Sequence, residues 1–257
     1  MIFKKQMKNS LQRLVSQAKG MKGHSLEIGK TNEINKIKWL KETLLKIPNG
    51  NKILDAGAGE LQFKPFCKHL KYVSQDFGKY DGLGDQTGIQ MKKWDNSKLD
   101  IISDITSIPV ESESFDAVMC IEVLEHVPDP ILALNELHRL LKPNGYLIIT
   151  APFCSITHFS PFHFSSGFNK YFYKTFLEKN NYQIIEITPN GNFFDFLSQE
   201  LRRVNDVTDK YTSYELNEMD NVLLDELLIL FDKISKNDTK SSELLCYGYF
   251  VFARKLA

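Results

Sequence analysis

The sequence predicts an α/β fold in which a mostly parallel sheet is wound on both faces by helices. Short apolar runs alternate with helical patterns from about residue 50 onward, and the first apolar run leads directly into a glycine turn. Such alternation is typical of βαβ units and a parallel sheet. The strands are predicted at residues 52–55, 72–76, 101–103, 115–120, 145–151, 183–188 and 245–253.

Helical patterns lie before the first of these strands and between most of the others. Residues 1–26 combine six basic side chains with apolar residues at helical spacing, and residues 32–47 form a clearer amphipathic pattern that Asn32 can cap. We therefore predict an N-terminal helical cap over residues 1–48 and a main domain over residues 49–257. Further helices are predicted near residues 63–69, 130–141 and 166–180.

A helical insertion is predicted at about residues 193–236, before the last strand. Its second helical pattern is densely apolar, which favours a core or dimer contact and makes a homo-oligomer through this segment a hypothesis. No run of 18 apolar residues occurs in the sequence, so we expect no transmembrane helix.

Composition narrows the possible partners and the compartment. Lys+Arg and Asp+Glu both number 32, and a neutral chain has no general attraction for nucleic acid, which makes a nucleic-acid partner a poor expectation. The four cysteines are scattered without a CxxC pair, which favours reduced thiols in a cytoplasmic protein. Histidines and acids lack a ligand spacing such as HExxH, so we expect no metal site.

A glycine turn follows the first predicted strand, in the segment ILDAGAGE at residues 53–60. Gly57 and Gly59 allow a tight turn and the close approach of a ligand to the backbone. The anionic pyrophosphate of a dinucleotide would gain nothing from Asp55, and Gln62 stands where the dinucleotide motif has its third glycine. A carboxylate favours the cationic amino group and sulfonium of S-adenosylmethionine. The segment therefore predicts an S-adenosyl-L-methionine site.

Three further acids stand near the ends of predicted strands, where open α/β sheets place ligand contacts. Asp76 is placed to accept hydrogen bonds from two ribose hydroxyls, and a helix cap or loop acid is the alternative. Asp104 could accept from an adenine amino group with Ile105 against the ring, and a turn aspartate is the alternative. Glu122 follows the fourth predicted strand.

Taken together, these segments resemble the class I, Rossmann-like, S-adenosylmethionine-dependent methyltransferases, of the methyltransferase type 11 group. The resemblance rests on the order and spacing of ILDAGAGE, Asp76, SDI, FDAVMCIEVLEHVPDP and LHRLLKPNGYLIITAPF. It covers roughly residues 50–188 and the closing strand at 245–253. It implies a seven-stranded sheet whose last strand is antiparallel.

The resemblance also implies which residues contact the cofactor. They are Asp55, the backbone of Ala56, Gly57 and Gly59, and then Asp76, Asp104, Ile105 and Glu122. Leu61 is a departure, because the family often has a third glycine there. Residues 77–98 are a second departure, since this glycine-rich, polar stretch is too long for an ordinary connection.

The loop after the fifth predicted strand carries the candidate catalytic residues. His158 or His163 could accept a proton from a substrate hydroxyl, and His126, beyond the fourth strand, is a third candidate base. Histidines that serve only as structural hydrogen-bond partners are the alternative. The phenylalanines that could exclude water from this loop are Phe153, Phe159, Phe162 and Phe164.

The same loop and the segment after it resemble, more loosely, methyltransferases found with polysaccharide and other small-molecule biosynthesis enzymes. That resemblance implies an oxygen atom of a small-molecule or glycan-like acceptor. Two other functions stay open. One is a noncatalytic S-adenosylmethionine-binding or scaffold protein that uses residues 193–236 as its interaction surface. The other is an NAD-dependent oxidoreductase, which Asp55 and the missing third glycine disfavour.

Overall fold

Seven strands form a single sheet in the computed structural model, which describes residues 26–257 of the chain. Their order across the sheet is β3-β2-β1-β4-β5-β7-β6, which confirms the predicted seven-stranded architecture. In chain order the strands are β1 (Lys52–Ala56), β2 (Lys71–Asp76), β3 (Ile101–Ile102), β4 (Phe115–Ile121), β5 (Leu141–Pro152), β6 (Tyr182–Asn190) and β7 (Gly248–Lys255).

Strand direction changes only at β7. The pairs β1–β2, β1–β4, β2–β3 and β4–β5 are parallel, whereas β7 pairs antiparallel with both β5 and β6. The antiparallel last strand is therefore confirmed. Since β1 has β2 on one side and β4 on the other, the chain order reverses there, and open sheets bind ligands at the carboxyl ends of strands beside such a switch point.

Six α-helices accompany the sheet within the described residues. The helix predicted at residues 63–69 is instead a short 3-10 helix (Lys64–Cys67), whose second position is a proline without an amide hydrogen. Asn32 does not cap the first helix, which already begins at Thr31. The α-helices are α1 (Thr31–Leu44), α2 (Pro130–Leu140), α3 (Lys170–Lys179), α4 (Phe193–Arg202), α5 (Val204–Tyr211) and α6 (Glu218–Ser235).

The described residues divide into two compact units. One comprises residues 26–34 and Gly191–Cys246, and the other comprises Asn35–Asn190 and Tyr247–Ala257 with the whole sheet. This division differs from the predicted cap over residues 1–48, because residues 35–48 belong to the sheet unit. The basic helix predicted over residues 1–26 lies almost wholly outside the described residues.

Helix α1 supplies one face of the core of the sheet unit. Trp39, Leu40 and Leu44 are buried there together with sheet residues such as Met119 and Ile148. The Trp39 ring also stacks on Phe250, with ring centroids 4.7 Å apart. Burying side chains of this size stabilises a fold by about 1.5–3 kcal/mol each, so this layer anchors the strands that carry the site.

The predicted insertion at residues 193–236 contains three helices, α4 to α6. Two capping boxes begin α4 and α6, formed by Asn192 with Asp195 and by Asn217 with Asp220. Helix α6 carries exposed apolar side chains at Leu223, Leu227 and Leu230. Across residues 26–257, no helix combines the length and apolar character that a membrane crossing requires.

All four cysteines are free thiols. Cys67, Cys120 and Cys246 are buried, and Cys154 is exposed in the loop after β5. Burial raises the pKa of Cys67 to about 12 and also raises that of Cys120.

Candidate functional site

A cavity of about 370 Å³ opens in the sheet unit at the carboxyl ends of β1, β2 and β4. Of the predicted cofactor residues, six line it: Gly57, Gly59, Asp76, Asp104, Ile105 and Glu122. Of the predicted catalytic residues, His126 and His158 line it. The fold therefore brings residues that are up to about a hundred positions apart in the chain into one site.

The glycine turn (residues 57–61) is held by hydrogen bonds to β2. The amides of Gly57 and Ala58 both donate to the carbonyl oxygen of Gln75, at 2.8 Å each. Gly57 has φ +83°, and a Cβ atom there would collide with the Val123 side chain. A Cβ atom on Gly59 would lie 2.5 Å from the Trp94 ring. Both positions thus need glycine because neighbouring side chains fill the space.

Leu61 keeps the turn despite lacking the family's third glycine. Its φ is +64°, in the left-handed region, and its amide donates to the Ala58 carbonyl at 2.8 Å. A non-glycine residue pays about 1–2 kcal/mol for that conformation. Leucine therefore replaces the family's third glycine at position 61, and the left-handed turn is kept.

Of the residues predicted to contact the cofactor, Asp55 and Ala56 are not among those that line the cavity. Asp55 is 1% exposed, and its carboxylate accepts a hydrogen bond of 2.5 Å from the Tyr72 hydroxyl. Burial raises the pKa of Asp55 to about 7. Alternation along β1 puts Asp55 on the same face as Ile53, which belongs to the core against α1. Ala56 is wholly buried within the strand.

Asp76 joins the end of β2 to the glycine turn. Its two carboxylate oxygens accept from the amides of Gly59 at 3.0 Å and Gly78 at 2.9 Å. The side chain is buried yet lines the cavity. Each carboxylate oxygen has a second lone pair, so Asp76 retains the capacity to accept from a ligand hydroxyl.

Asp104 and Ile105 follow β3, which is only two residues long. The Asp104 carboxylate accepts from the amide and the hydroxyl of Thr106, at 2.8 and 2.7 Å, and these bonds lower its pKa. Ile105 is buried and offers an apolar surface beside that acid. The pair can therefore present one carboxylate and one flat apolar contact to a ring.

Glu122 follows β4 directly in a left-handed conformation, with φ +54°. Its Oε1 atom accepts from the Thr150 hydroxyl at 2.6 Å, and Lys36 Nζ lies 3.9 Å from its Oε2 atom. Lys36 lines the cavity although it is only 8% exposed, and no sequence signal marked it. Among the described residues it is the only lysine on the lining, which also carries five acids: Glu60, Asp76, Asp104, Glu122 and Glu125.

His126, His158 and His163 form a histidine cluster. The ring centroid of His158 lies 4.7 Å from the ring centroid of His126 and 4.7 Å from that of His163, so the fold brings all three predicted bases together. His163 does not line the cavity, and its Nε2 atom lies 3.1 Å from the Ser155 hydroxyl. Burial lowers the pKa of His126 to about 3 and also lowers that of His163, so both rings are neutral at pH 7.

An aromatic wall completes the cavity. It consists of Tyr80, Trp94 and Phe159, with Tyr80 and Phe159 stacked at 4.5 Å and Trp94 edge-on to both. Sequence reasoning missed Tyr80 and Trp94, because they lie in the stretch 77–98 that matched no motif. Of the four phenylalanines predicted to exclude water, Phe159 and Phe162 line the cavity and Phe153 and Phe164 do not.

Comparison with known proteins identifies the domain. Residues 54–149 match the family described as "Methyltransferase domain". A ubiquinone biosynthesis O-methyltransferase from Histophilus somni is 49% identical over 39 residues, which are 15% of this chain and 16% of that protein. The chain thus aligns with about a sixth of the length of the first curated relatives it matches.

Solved structures share the fold at low sequence identity. A candidate sarcosine dimethylglycine methyltransferase from Galdieria sulphuraria has TM-score 0.51 and 16% identity, covering 88% of this chain and 86% of that chain. A SAM-dependent methyltransferase from Archaeoglobus fulgidus has TM-score 0.51 and 19% identity, covering 85% and 94%. The family match over residues 54–149 and this shared fold confirm the predicted resemblance to the class I S-adenosylmethionine-dependent methyltransferases.

Proposed function

We propose that this chain binds S-adenosylmethionine in the cavity and transfers its methyl group to an oxygen atom of a small-molecule or glycan-like acceptor. One observation carries the proposal. A single cavity joins the glycine turn, three strand-end acids and two histidines at the switch point of the sheet. This is where the fold places ligands, and the family match covers most of the contributing strands.

The charge of the lining fits this cofactor. Among the described residues, five acids and one lysine line the cavity, and burial raises the pKa of one of the acids, Glu125. The other four acids still give a ligand with a sulfonium and an amino group a surplus of negative charge. In this proposal Asp76 accepts hydrogen bonds from the ribose hydroxyls, and Asp104 with Ile105 contacts the adenine. Glu122 and the backbone at Gly57 and Gly59 then contact the amino acid portion of S-adenosylmethionine. A pyrophosphate would instead be repelled by the same acids.

Methyl transfer depends mainly on positioning the reactants and excluding water, because the positive charge of the sulfonium already activates the methyl donor. S-adenosylmethionine supplies an electrophilic methyl group on a sulfonium that leaves as a neutral thioether. The acceptor hydroxyl must lose its proton as its oxygen bonds the methyl carbon. His126 and His158 are candidate bases, and the neutral ring of His126 keeps a nitrogen lone pair at pH 7.

Oxygen as the acceptor atom is supported by two observations. The Histophilus somni relative is named as an O-methyltransferase, although the match is short. The aromatic wall and the half-buried histidines also suit a small hydroxylated molecule better than a polyanion, which the acidic lining would repel. The small-molecule or glycan-like class and the polysaccharide-associated group stay predictions from the loop sequence.

Calorimetric titration of the full chain with S-adenosylmethionine and S-adenosylhomocysteine tests the cofactor. We expect micromolar binding, about −8 kcal/mol, which Gly57→Ala weakens at least about tenfold because its Cβ displaces Val123 at the turn. Gly50→Ala is the matched control, since Gly50 has φ +81° against +83° at Gly57 but nothing within 4 Å of its Cβ.

The outcomes separate the alternatives. A folded wild type that binds neither compound, or that binds NAD instead, contradicts the proposal. Cofactor binding without formation of S-adenosylhomocysteine across hydroxylated acceptors favours the noncatalytic alternative. Equal loss of affinity in the two glycine variants would show that backbone strain, and not the site, controls binding.

A further inference from the structure

Glu125, His126 and His158 converge at one end of the cavity. Glu125 and His126 belong to a 3-10 helix (Leu124–His126) just after β4, and His158 lies in the loop after β5. One ligand atom from each side chain lies within 4.8 Å of the other two. The Glu125 Oε1 atom is 3.7 Å from His126 Nε2 and 3.9 Å from His158 Nε2.

The hydrogen bonds of the two rings define where their lone pairs point. His126 Nδ1 lies 2.5 Å from the Phe162 carbonyl oxygen, and His158 Nδ1 lies 2.9 Å from that of Ile156. A carbonyl oxygen can only accept, so each Nδ1 must be the protonated nitrogen. In each neutral ring the lone pair is therefore on Nε2, which is the nitrogen nearer to the Glu125 carboxylate.

Glu125 is a buried carboxylate with an unsatisfied oxygen. The residue is 1% exposed, and its Oε2 atom has no hydrogen-bond partner among the described residues. Leaving such a group without compensation is costly, because burial removes the water that would solvate it. Three side chains that can each donate an electron pair to a cation thus face one another, and a cation between them would stabilise the ionised form of Glu125.

We propose that Glu125, His126 and His158 bind a divalent transition-metal ion, such as Zn²⁺, Mn²⁺ or Co²⁺. Two imidazoles and one carboxylate are a donor set that these ions accept, and three protein ligands leave positions open for water or substrate. Ligand atoms about 2.1 Å from a tetrahedral ion are about 3.4 Å apart, so the observed 3.7 and 3.9 Å require small side-chain shifts.

The surroundings of the three side chains match those of known metal sites. Metal-binding histidines usually donate their other ring nitrogen to a carbonyl or carboxylate, as His126 and His158 both do here. All three side chains also line the cavity, so a bound ion would be open to a ligand there. The sequence did not predict this site because adjacent residues 125 and 126 and the distant 158 match no ligand spacing.

The role of the ion rests on the proposed function. Coordination of an acceptor hydroxyl would lower its pKa, so that the O–H bond breaks and the proton leaves to water. The oxygen electron pair then forms the bond to the methyl carbon while the carbon–sulfur bond breaks, and the sulfonium becomes a neutral thioether. The ion is unchanged by the reaction. It would replace a histidine as the means of activating the hydroxyl.

Metal titration of untagged, chelator-treated full chain tests the site. Co²⁺ is added while its ligand-field absorption is recorded, and Zn²⁺ and Mn²⁺ are titrated by calorimetry. We expect equimolar binding that Glu125→Gln and His158→Gln each weaken at least about tenfold. His138→Gln is the matched control, because His138 bonds the Tyr182 hydroxyl and lies outside the cavity.

Circular dichroism of the same samples shows whether each variant is folded, and titration with S-adenosylhomocysteine tests cofactor binding separately. Metal binding that is equal in wild type, Glu125→Gln and His158→Gln overturns the site, as does a wild type that binds S-adenosylhomocysteine but none of the three ions. If either variant is unfolded, the other decides. Metal binding without any cofactor binding leaves the metal site standing and contradicts the proposed function.

Discussion

The glycine turn and the histidine cluster reach the same cavity by different routes. The turn at residues 57–61 is local. Hydrogen bonds to the adjacent strand hold it, and Gly57 and Gly59 lack the side chains that would collide with their neighbours. The histidine cluster is assembled from two loops, with His126 after β4 and His158 and His163 after β5. The comparison teaches that backbone geometry specifies the side of the site proposed for the cofactor, whereas long-range packing specifies the side proposed for the acceptor.

The largest expected effect tests the buried acid beneath the turn. With a pKa of about 7 in the folded chain and 3.8 when unfolded, Asp55 holds its proton more tightly when folded. The free energy of unfolding should therefore fall as pH rises from about 4 to about 7, by as much as about 4 kcal/mol. Asp55→Asn removes this fall, which urea unfolding at several pH values would measure.

Asp104→Asn is the control for this experiment. The pKa of Asp104 is lowered by its bonds to Thr106, so its stabilising contribution is present at neutral pH and is lost on acidification. The two variants should thus change the pH dependence in opposite directions. Parallel curves for wild type and Asp55→Asn would contradict the assignment of a buried, protonated Asp55.

A smaller effect tests the aromatic wall, which long-range packing assembles. Phe159→Leu removes the stack on Tyr80 and the edge contact with Trp94, which should lower the free energy of unfolding by about 1 kcal/mol. Because hydrogen bonds to Gln75 hold the glycine turn and do not involve Phe159, we expect affinity for S-adenosylhomocysteine to change less than about twofold. Phe164→Leu is the control, since Phe164 is 50% exposed and outside the cavity. Urea unfolding and calorimetry measure both quantities.

The smallest effect returns to the turn. Leu61→Gly relieves a left-handed conformation but increases the entropy of the unfolded chain, so we expect a gain in stability of only about 0.5 kcal/mol. Leu132→Gly, on an exposed position of α2, should instead cost about 1 kcal/mol. Equal losses in the two variants, measured by urea unfolding, would show that position 61 does not favour glycine.

What the sequence could predict follows this division. Gly57, Gly59, Asp76 and Glu122 were recognisable because each stands at a strand end, where parallel sheets gather ligand contacts. The burial of Asp55 away from the cavity lining was not predictable, because a strand that is apolar on both faces does not reveal which face an acid occupies. Alternation of elements predicted the α/β class, whereas the seven-stranded sheet with its antiparallel last strand was implied by the family resemblance.

The remaining lining residues had no local signal. Lys36 lies on a helix that precedes the motifs, and Trp94 lies in a stretch that resembles an irregular loop. Their positions depend on tertiary packing, which single-sequence patterns do not encode. The same holds for Glu125 and His158, whose approach depends on how two loops fold over β4 and β5.

The one exposed cysteine has a practical consequence. Cys154 lies in the loop between β5 and His158, whereas burial keeps the thiols of Cys67 and Cys120 protonated and sheltered. A thiol-reactive fluorophore should therefore attach at that single position without any substitution. Its emission would then report, in the native chain, when the loop that carries His158 responds to a ligand.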